Sequence, residues 1–275
     1  MRPLDSEALA LFARKGKDGS PCVPQAGEAN GVKVRRVLQL TRDLAPRPFE
    51  ALRILDLGCG EGVYAVEAGL RGAEVLAIDA RTQRMALGAA CALRHGLQNV
   101  RFVQEDVRRM ERASHGTFDV VYGLGILYHL DAPDVFFLLE NVREMCTAVF
   151  IADTLVTGEP DVAVSHRGRS YEGKRFREHE DGDDEALRRS RVLKSIDNTF
   201  SFRFTRASLA RAMHDAGFSS VLECHVPPEP GKAPDRITLA ALTGERVTLA
   251  TYPWVNGISE REIDEKIRTF KASDP

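Results

Sequence analysis

The sequence predicts an α/β fold: a doubly wound, mostly parallel sheet with helices on both faces and a lid inserted late in the chain. Three observations predict it. From residue 53 onward, short apolar runs alternate with helical patterns. Those runs are apolar nearly throughout, as strands covered on both faces must be. Their C-terminal ends carry glycine or an acid, at the edge where an open α/β sheet binds ligands. The length, 275 residues with 43% hydrophobic, suits one large domain with elaborations.

The elements follow in order. Residues 4–15 read as a helix through Leu4, Ala8, Leu11 and Phe12, and 16–31 as a loop rich in Gly and Pro. Residues 32–44 resume the helical period and stop before Pro46 and Pro48. Strands are predicted at 53–57, 74–78, 100–104, 118–122 and 148–153, with helices at 63–71, 81–95 and 133–145 between them. Residues 156–198 break the alternation. Between Ser165 and Ser195 lie nine basic and seven acidic residues, punctuated by Tyr171 and Phe176. Asn198–Phe204 alternates, so Phe200, Phe202 and Phe204 are expected on one face. Thr205 is placed to cap a helix running to Ala216, closed by Gly217. Strands at 219–226 and 236–242, joined by a Pro/Gly loop, read as an antiparallel pair. A polar helix over 259–270 opens with Ser259 and Glu262 spaced as a capping box. The expected divisions are a helical cap (1–50), a core (51–155), a lid (156–198), the rest of the core (199–245) and a tail helix (246–275).

Composition removes several classes of function. With 38 basic and 40 acidic residues, nothing in bulk suggests a polyanionic partner. The five cysteines lack CxxC spacing, which argues against a disulfide framework or a zinc knuckle. The longest stretch free of Asp, Glu, Lys and Arg, 247–259, is short for a membrane span and contains Pro253. No apolar leader follows Met1, so the expected location is cytoplasmic.

The chemistry concentrates in the run 54–62, Ile-Leu-Asp-Leu-Gly-Cys-Gly-Glu-Gly. It is neither a G-x-G-x-x-G fingerprint nor a P-loop. Asp79 ends the next strand, where a nucleotide-binding sheet places a carboxylate for ribose hydroxyls, and Asp106 ends the third. Acids around a glycine loop repel a pyrophosphate. They suit a nucleoside with a neutral or cationic group, and they count against NAD as the ligand.

ILDLGCGEG resembles the first motif of class I S-adenosylmethionine (SAM) methyltransferases. EVLAIDAR (74–81), VRFVQEDV (100–107) and FDVVYGLGILYHL (118–130) resemble the next three. The resemblance implies a Rossmann-like seven-stranded sheet whose last strand is antiparallel, with S-adenosyl-L-methionine as cofactor and S-adenosyl-L-homocysteine as product. It implies that Gly58, Gly60 and Gly62 border the methionine and ribose. Asp56 would hold the loop or the amino end, and Asp79 would accept the ribose hydroxyls. Asp106 would accept the adenine amino group beside a backbone donor at Val107, with Gly123 near the methionine amino group.

Tyr128 and His129 follow the fourth strand. An imidazole there is a candidate base for an acceptor that must lose a proton, and packing beside the cofactor is the alternative role. Tyr128 is expected to shape the substrate pocket. In the insertion, Arg167, Arg169, Tyr171 and Arg175 are candidates to grip an anionic acceptor, against the alternative of a self-compensating charged loop. Lys33, Arg35 and Arg36 are candidates for the methionine carboxylate, with a solvated helix face as the alternative. No metal site is expected. The function read from the sequence is methyl transfer by in-line displacement to a small-molecule acceptor, with anionic, natural-product-like metabolites in view. The alternatives are a tRNA wobble-uridine modifying enzyme of the same fold and a non-catalytic SAM-binding protein. A homodimer is compatible with this reading; nucleic-acid and membrane partners are not expected.

Overall fold

The apolar runs form adjoining strands of one sheet. β1 (Arg53–Leu57), β2 (Glu74–Asp79), β3 (Val100–Gln104), β4 (Phe118–Leu124) and β5 (Cys146–Leu155) are parallel, in the spatial order β3-β2-β1-β4-β5. The chain then builds β6 (Val162–His166), β7 (Arg169–Arg177) and β8 (Phe200–Phe204) as a separate sheet, and returns with β9 (Ser220–Glu223) and β10 (Arg236–Leu242). β10 lies antiparallel to both β5 and β9, which completes the seven-stranded order β3-β2-β1-β4-β5-β10-β9. The computed structural model describes residues 28–226, 233–245 and 260–272. The helix expected at 4–15 and the capping residue Ser259 lie outside the described residues.

Helices cover both faces. α1 (Glu28–Leu44), α2 (Val63–Gly69) and α3 (Thr82–Arg94) pack one side through Val37, Ala65, Val66, Met85 and Cys91 against Ile54, Val75 and Val120. After the short α4 (Arg112–His115), α5 (Asp134–Met145) covers the other side. Its Val135, Phe136, Leu139 and Val142 meet Leu55, Leu57, Ile78 and Phe150. Adjacent residues of β1 thus enter opposite cores, as the two-residue period of a strand requires. Each large aliphatic buried this way contributes roughly 1.5–3 kcal/mol. α1 begins at Glu28, so residues 28–31, expected in a loop, are helical; the rest of that expected loop lies outside the described residues.

The insertion is more ordered than its charge predicts. β6, β7 and β8 form an antiparallel sheet, and α6 (Glu185–Ser190) follows, capped by Asp184. β7 and β8 approach closely at Gly173, where a Cβ would stand 2.4 Å from the Arg203 carbonyl oxygen and the Phe202 ring. The inner face of this sheet joins the main core: Tyr171, Phe202 and Phe204 ring Phe136, with centroids 4.8, 6.3 and 5.2 Å away. α7 (Arg206–Asp215) seals the same core, with Thr205 Oγ1 accepting the Ser208 N–H as expected. Residues 245–275 form a compact unit of their own, within which α8 (Glu260–Ala272) is a mostly exposed, charged helix. Among the described residues no helix is long and apolar enough to cross a membrane.

Candidate active site

A cavity of about 560 Å³ opens at the C-terminal ends of β1, β2 and β4, and the insertion closes its far side. Its floor is the glycine loop. Gly60 has φ +55°, a backbone conformation that favours glycine, and its N–H donates to Asp79 Oδ2 at 3.0 Å. Asp79 Oδ1 accepts the Arg81 N–H at 2.8 Å, so this buried carboxylate ties the loop to the end of β2. Each of its oxygens keeps a further lone pair for a ligand.

Asp56 lies beneath the loop rather than on the cavity. It is buried, and its Oδ2 has no hydrogen-bond partner among the described residues. Burial, helped by the charge of Asp79, pushes its carboxyl up to about 7; the Ala65 N–H and Lys33 oppose the shift. The ground under the loop therefore carries more negative potential than it can comfortably hold, and a cation above it is favoured.

At the end of β5, Asp153 accepts Lys33 Nζ at 2.8 Å, Arg236 Nε at 2.5 Å and Thr238 Oγ1 at 2.9 Å. Burial raises this carboxyl, but the two cations outweigh it and hold it below the ordinary range. Lys33 Nζ also stands 5.7 Å from the Tyr64 ring, on the cavity wall. Arg236 Cζ stands 5.7 Å from the Tyr128 ring, which lines the same cavity.

The opposite wall is built by the segment after β4 and by the insertion. Leu127–His129 is a single 3-10 turn, and the His129 carbonyl accepts the Asn198 Nδ2–H at 3.1 Å. His129 Nδ1 lies 3.1 Å from Glu178 Oε1, across 49 residues of sequence. Glu178 Oε2 accepts the Ser195 N–H at 3.0 Å. Burial pushes Glu178 up, but its contacts with His129 and the Ser195 N–H prevail and keep it below the usual carboxylate range. An ionised partner at Nδ1 selects the tautomer that carries its proton there and leaves Nε2 as the basic nitrogen. Arg203 projects from β8 onto the same wall, between the rings of Phe176 and Tyr128. Burial pushes its guanidinium down from its ordinary value, against the pull of Asp235 and Glu178.

Residues 192–196 roof the cavity. Arg81 donates to the carbonyls of Arg189, Arg191 and Ser195 at 3.2, 3.2 and 2.8 Å, and Arg84 donates to that of Val192 at 3.0 Å. The roof is thus latched to the residues that follow Asp79. At the Asp106 edge of the cavity, Arg108 pairs with Asp106 at 2.6 Å, Asp197 at 2.7 Å and Asp134 at 3.3 Å.

Of the residues singled out in the sequence, Gly58, Gly60, Asp79, Asp106, Val107, Tyr128 and His129 line this one cavity. Gly62 and Gly123 do not: a Cβ would stand 2.5 Å from the Phe102 ring at the first and 2.7 Å from the Phe150 ring at the second. Arg167, Arg169 and Tyr171 line a separate cavity of about 200 Å³, where Glu140 and Asp215 neutralise the two arginines. Arg175 pairs with Asp131 at 2.7 Å and lies over the Phe200 ring. The residues that sequence reasoning passed over are Glu178, Arg203, Arg236 and the Arg81–Arg84 latch.

A family model described as a methyltransferase domain matches residues 54–148. The ubiquinone biosynthesis O-methyltransferase of Methylocella silvestris is 36% identical over 142 residues, 46% of this chain and 54% of that protein. Among solved structures, the N-terminal domain of EvdMO1 with S-adenosylhomocysteine bound aligns over 88% of this chain and 98% of that one, with TM-score 0.64 and 20% identity. The same domain in the presence of S-adenosylhomocysteine and D-fucose gives TM-score 0.61 at 21% identity over 80% of this chain and 85% of that one. Residues 54–148 thus match a methyltransferase domain, and the relatives support the class I, S-adenosylmethionine-dependent kind. It spans only 34% to 54% of the length of the curated relatives it matches. The likeness to the EvdMO1 domain concerns the fold.

The methyltransferase cavity suits S-adenosylmethionine by its own chemistry. Gly58 and Gly60 present backbone without Cβ atoms; a Cβ at Gly58 would stand 3.0 Å from the Ile126 side chain, and one at Gly60 would stand 3.1 Å from Arg84. Asp79 offers acceptors for a diol. The orphaned carboxyl of Asp56 favours a sulfonium over any anionic nucleotide.

Proposed function

We propose that this chain is a SAM-dependent O-methyltransferase acting on a small hydroxyl-bearing acceptor, with His129 as general base. The observation that carries the reading is the His129–Glu178 pair, placed on the same cavity as the glycine loop and Asp79. A base is needed only when the acceptor loses a proton, and a hydroxyl does. The O-methyltransferase relatives support the same choice of atom.

When bound, S-adenosylmethionine supplies a sulfonium methyl group open to in-line displacement, and it leaves as S-adenosylhomocysteine. The chain's residues divide the remaining work. Gly58 and Gly60 allow close approach, Asp79 accepts from the ribose hydroxyls, and Asp106 with Val107 lines the adenine end. Asp56 holds the glycine loop from below through Ala65, while Gly62 and Gly123 set the packing behind it. His129 Nε2 takes the hydroxyl proton, and Glu178 stabilises the imidazolium that forms. Tyr128 shapes the wall beside His129, and Phe176 holds the Arg203 guanidinium at its edge. Residues 192–196 exclude water from the reacting atoms.

The test is direct. Purified protein incubated with methyl-labelled S-adenosylmethionine and a fractionated metabolite extract should label a small-molecule fraction. His129→Ala should slow labelling by about 10²-fold or more with S-adenosylhomocysteine affinity held. Label appearing in RNA would favour the tRNA-modifying reading. Tight S-adenosylhomocysteine binding without label in any fraction would leave a non-catalytic binding protein.

A further inference from the structure

The cavity wall carries several cations, and Arg203 stands apart from them. Arg81, Arg84, Arg108, Arg177 and Arg236 each donate to a protein carbonyl or carboxylate. Among the described residues, the Arg203 side chain makes no hydrogen bond or ion pair, and its buried Nε is left without a partner. The guanidinium is held by a ring instead: its Cζ lies 3.4 Å from the Phe176 centroid, and the Tyr128 ring is 5.9 Å away. Stacking occupies the flat face of a guanidinium. The N–H groups of the two terminal nitrogens lie in its plane and remain available to a ligand. A half-buried cation without a contacting counter-ion is costly to maintain, and a ligand anion would offset that cost.

We infer that Arg203 is a specificity-determining residue that binds a carboxylate carried by the methyl acceptor. The inference rests on the methyltransferase reading above and adds to it the charge and shape of the acceptor. The Tyr128 and His129 ring centroids are 4.3 Å apart, so base and guanidinium both stand beside the Tyr128 ring. The acceptor that fits is planar, with its reacting hydroxyl at one end and its carboxylate at the other. Carboxylate is favoured over phosphate for two reasons. Its two-oxygen edge matches the guanidinium fork. One cation balances one negative charge, whereas a dianion would leave excess charge facing the ionised Glu178.

The test uses protein saturated with S-adenosylhomocysteine and three probes: 4-hydroxycinnamate, its primary amide and 4-hydroxyphenyl phosphate. Calorimetry should show the carboxylate binding about tenfold or more tighter than the amide. Arg203→Met should erase that preference, Arg203→Lys should restore part of it, and S-adenosylhomocysteine affinity should hold in both variants, which also reports intact folding. A preference that survives in Arg203→Met overturns the inference. So does tighter binding of the phosphate, or no carboxylate preference in the wild type, whether all probes bind alike or none binds. The underlying reading fails separately: protein that never binds S-adenosylhomocysteine refutes the methyltransferase proposal, whatever the probes do.

Discussion

The two walls of the cavity are built on different principles. The cofactor wall comes from consecutive strand ends, and its parts are local: Asp79 holds Gly60 and Arg81, and Asp56 sits directly beneath the loop. The acceptor wall is assembled from distant segments, with His129 set against Glu178 and Arg203 brought in on β8. A site made from strand ends inherits the rigidity of the sheet and suits a ligand that does not change. A site made by an inserted sheet can be remodelled without disturbing the first. The difference teaches that loss of function should divide cleanly: changes in one wall affect cofactor affinity, and changes in the other affect turnover.

The sharpest way to break this division is Glu178→Gln. An amide cannot stabilise an imidazolium as a carboxylate does, so kcat should fall by about 10²-fold or more. The affinity for S-adenosylhomocysteine should stay put, and a parallel loss of it would join the two walls. Asp56→Asn tests the cofactor wall through pH. The folded carboxyl, at about 7, lies above its ordinary 3.8. The folded state therefore keeps a proton that the unfolded chain gives up, and stability is full below pH 4 and declines as pH rises through 7. Urea unfolding of the unliganded protein should show the Asn variant more stable at pH 8 by about 2–3 kcal/mol, with a flatter pH slope. Equal slopes would mean that Asp56 is ionised in both states. Asp79→Ala should weaken S-adenosylhomocysteine binding by about 1.5–3 kcal/mol in calorimetry while acceptor affinity changes little. The smallest effect belongs to the seam between the walls. Arg81→Ala removes three bonds to the roof carbonyls, and exchange of the amides in 189–196 should accelerate by about 1 kcal/mol of local opening.

The same division explains what was legible in the sequence. β1 to β5 are covered on both faces, so their apolar runs are continuous and their bounds fall within a few residues of expectation. β7 buries one face only, and Arg169, Glu172, Lys174, Arg175 and Arg177 dilute its pattern until it reads as a charged loop. Glycine carries an ambiguous signal: Gly60 takes its place for the turn, whereas Gly62 and Gly123 take theirs because a ring packs where a Cβ would be. Charge was ambiguous in a similar way. Arg167 and Arg169 drew notice by their density but are neutralised by α5 and α7, while Arg203 sat unremarked in an alternating aromatic run. The Glu178 contact spans 49 residues and leaves no local signature at all.

At Arg108 one guanidinium serves three carboxylates from three parts of the chain. All four side chains are partly open to solvent, whereas in the cluster around Asp153 only Arg236 is, and Lys33 and Asp153 are buried. Mobile ions screen the first more than the second. Raising the ionic strength should therefore loosen the roof at its Asp197 end while the Lys33–Asp153–Arg236 cluster holds, so that salt slackens the cover of the cavity before it touches the end of β5.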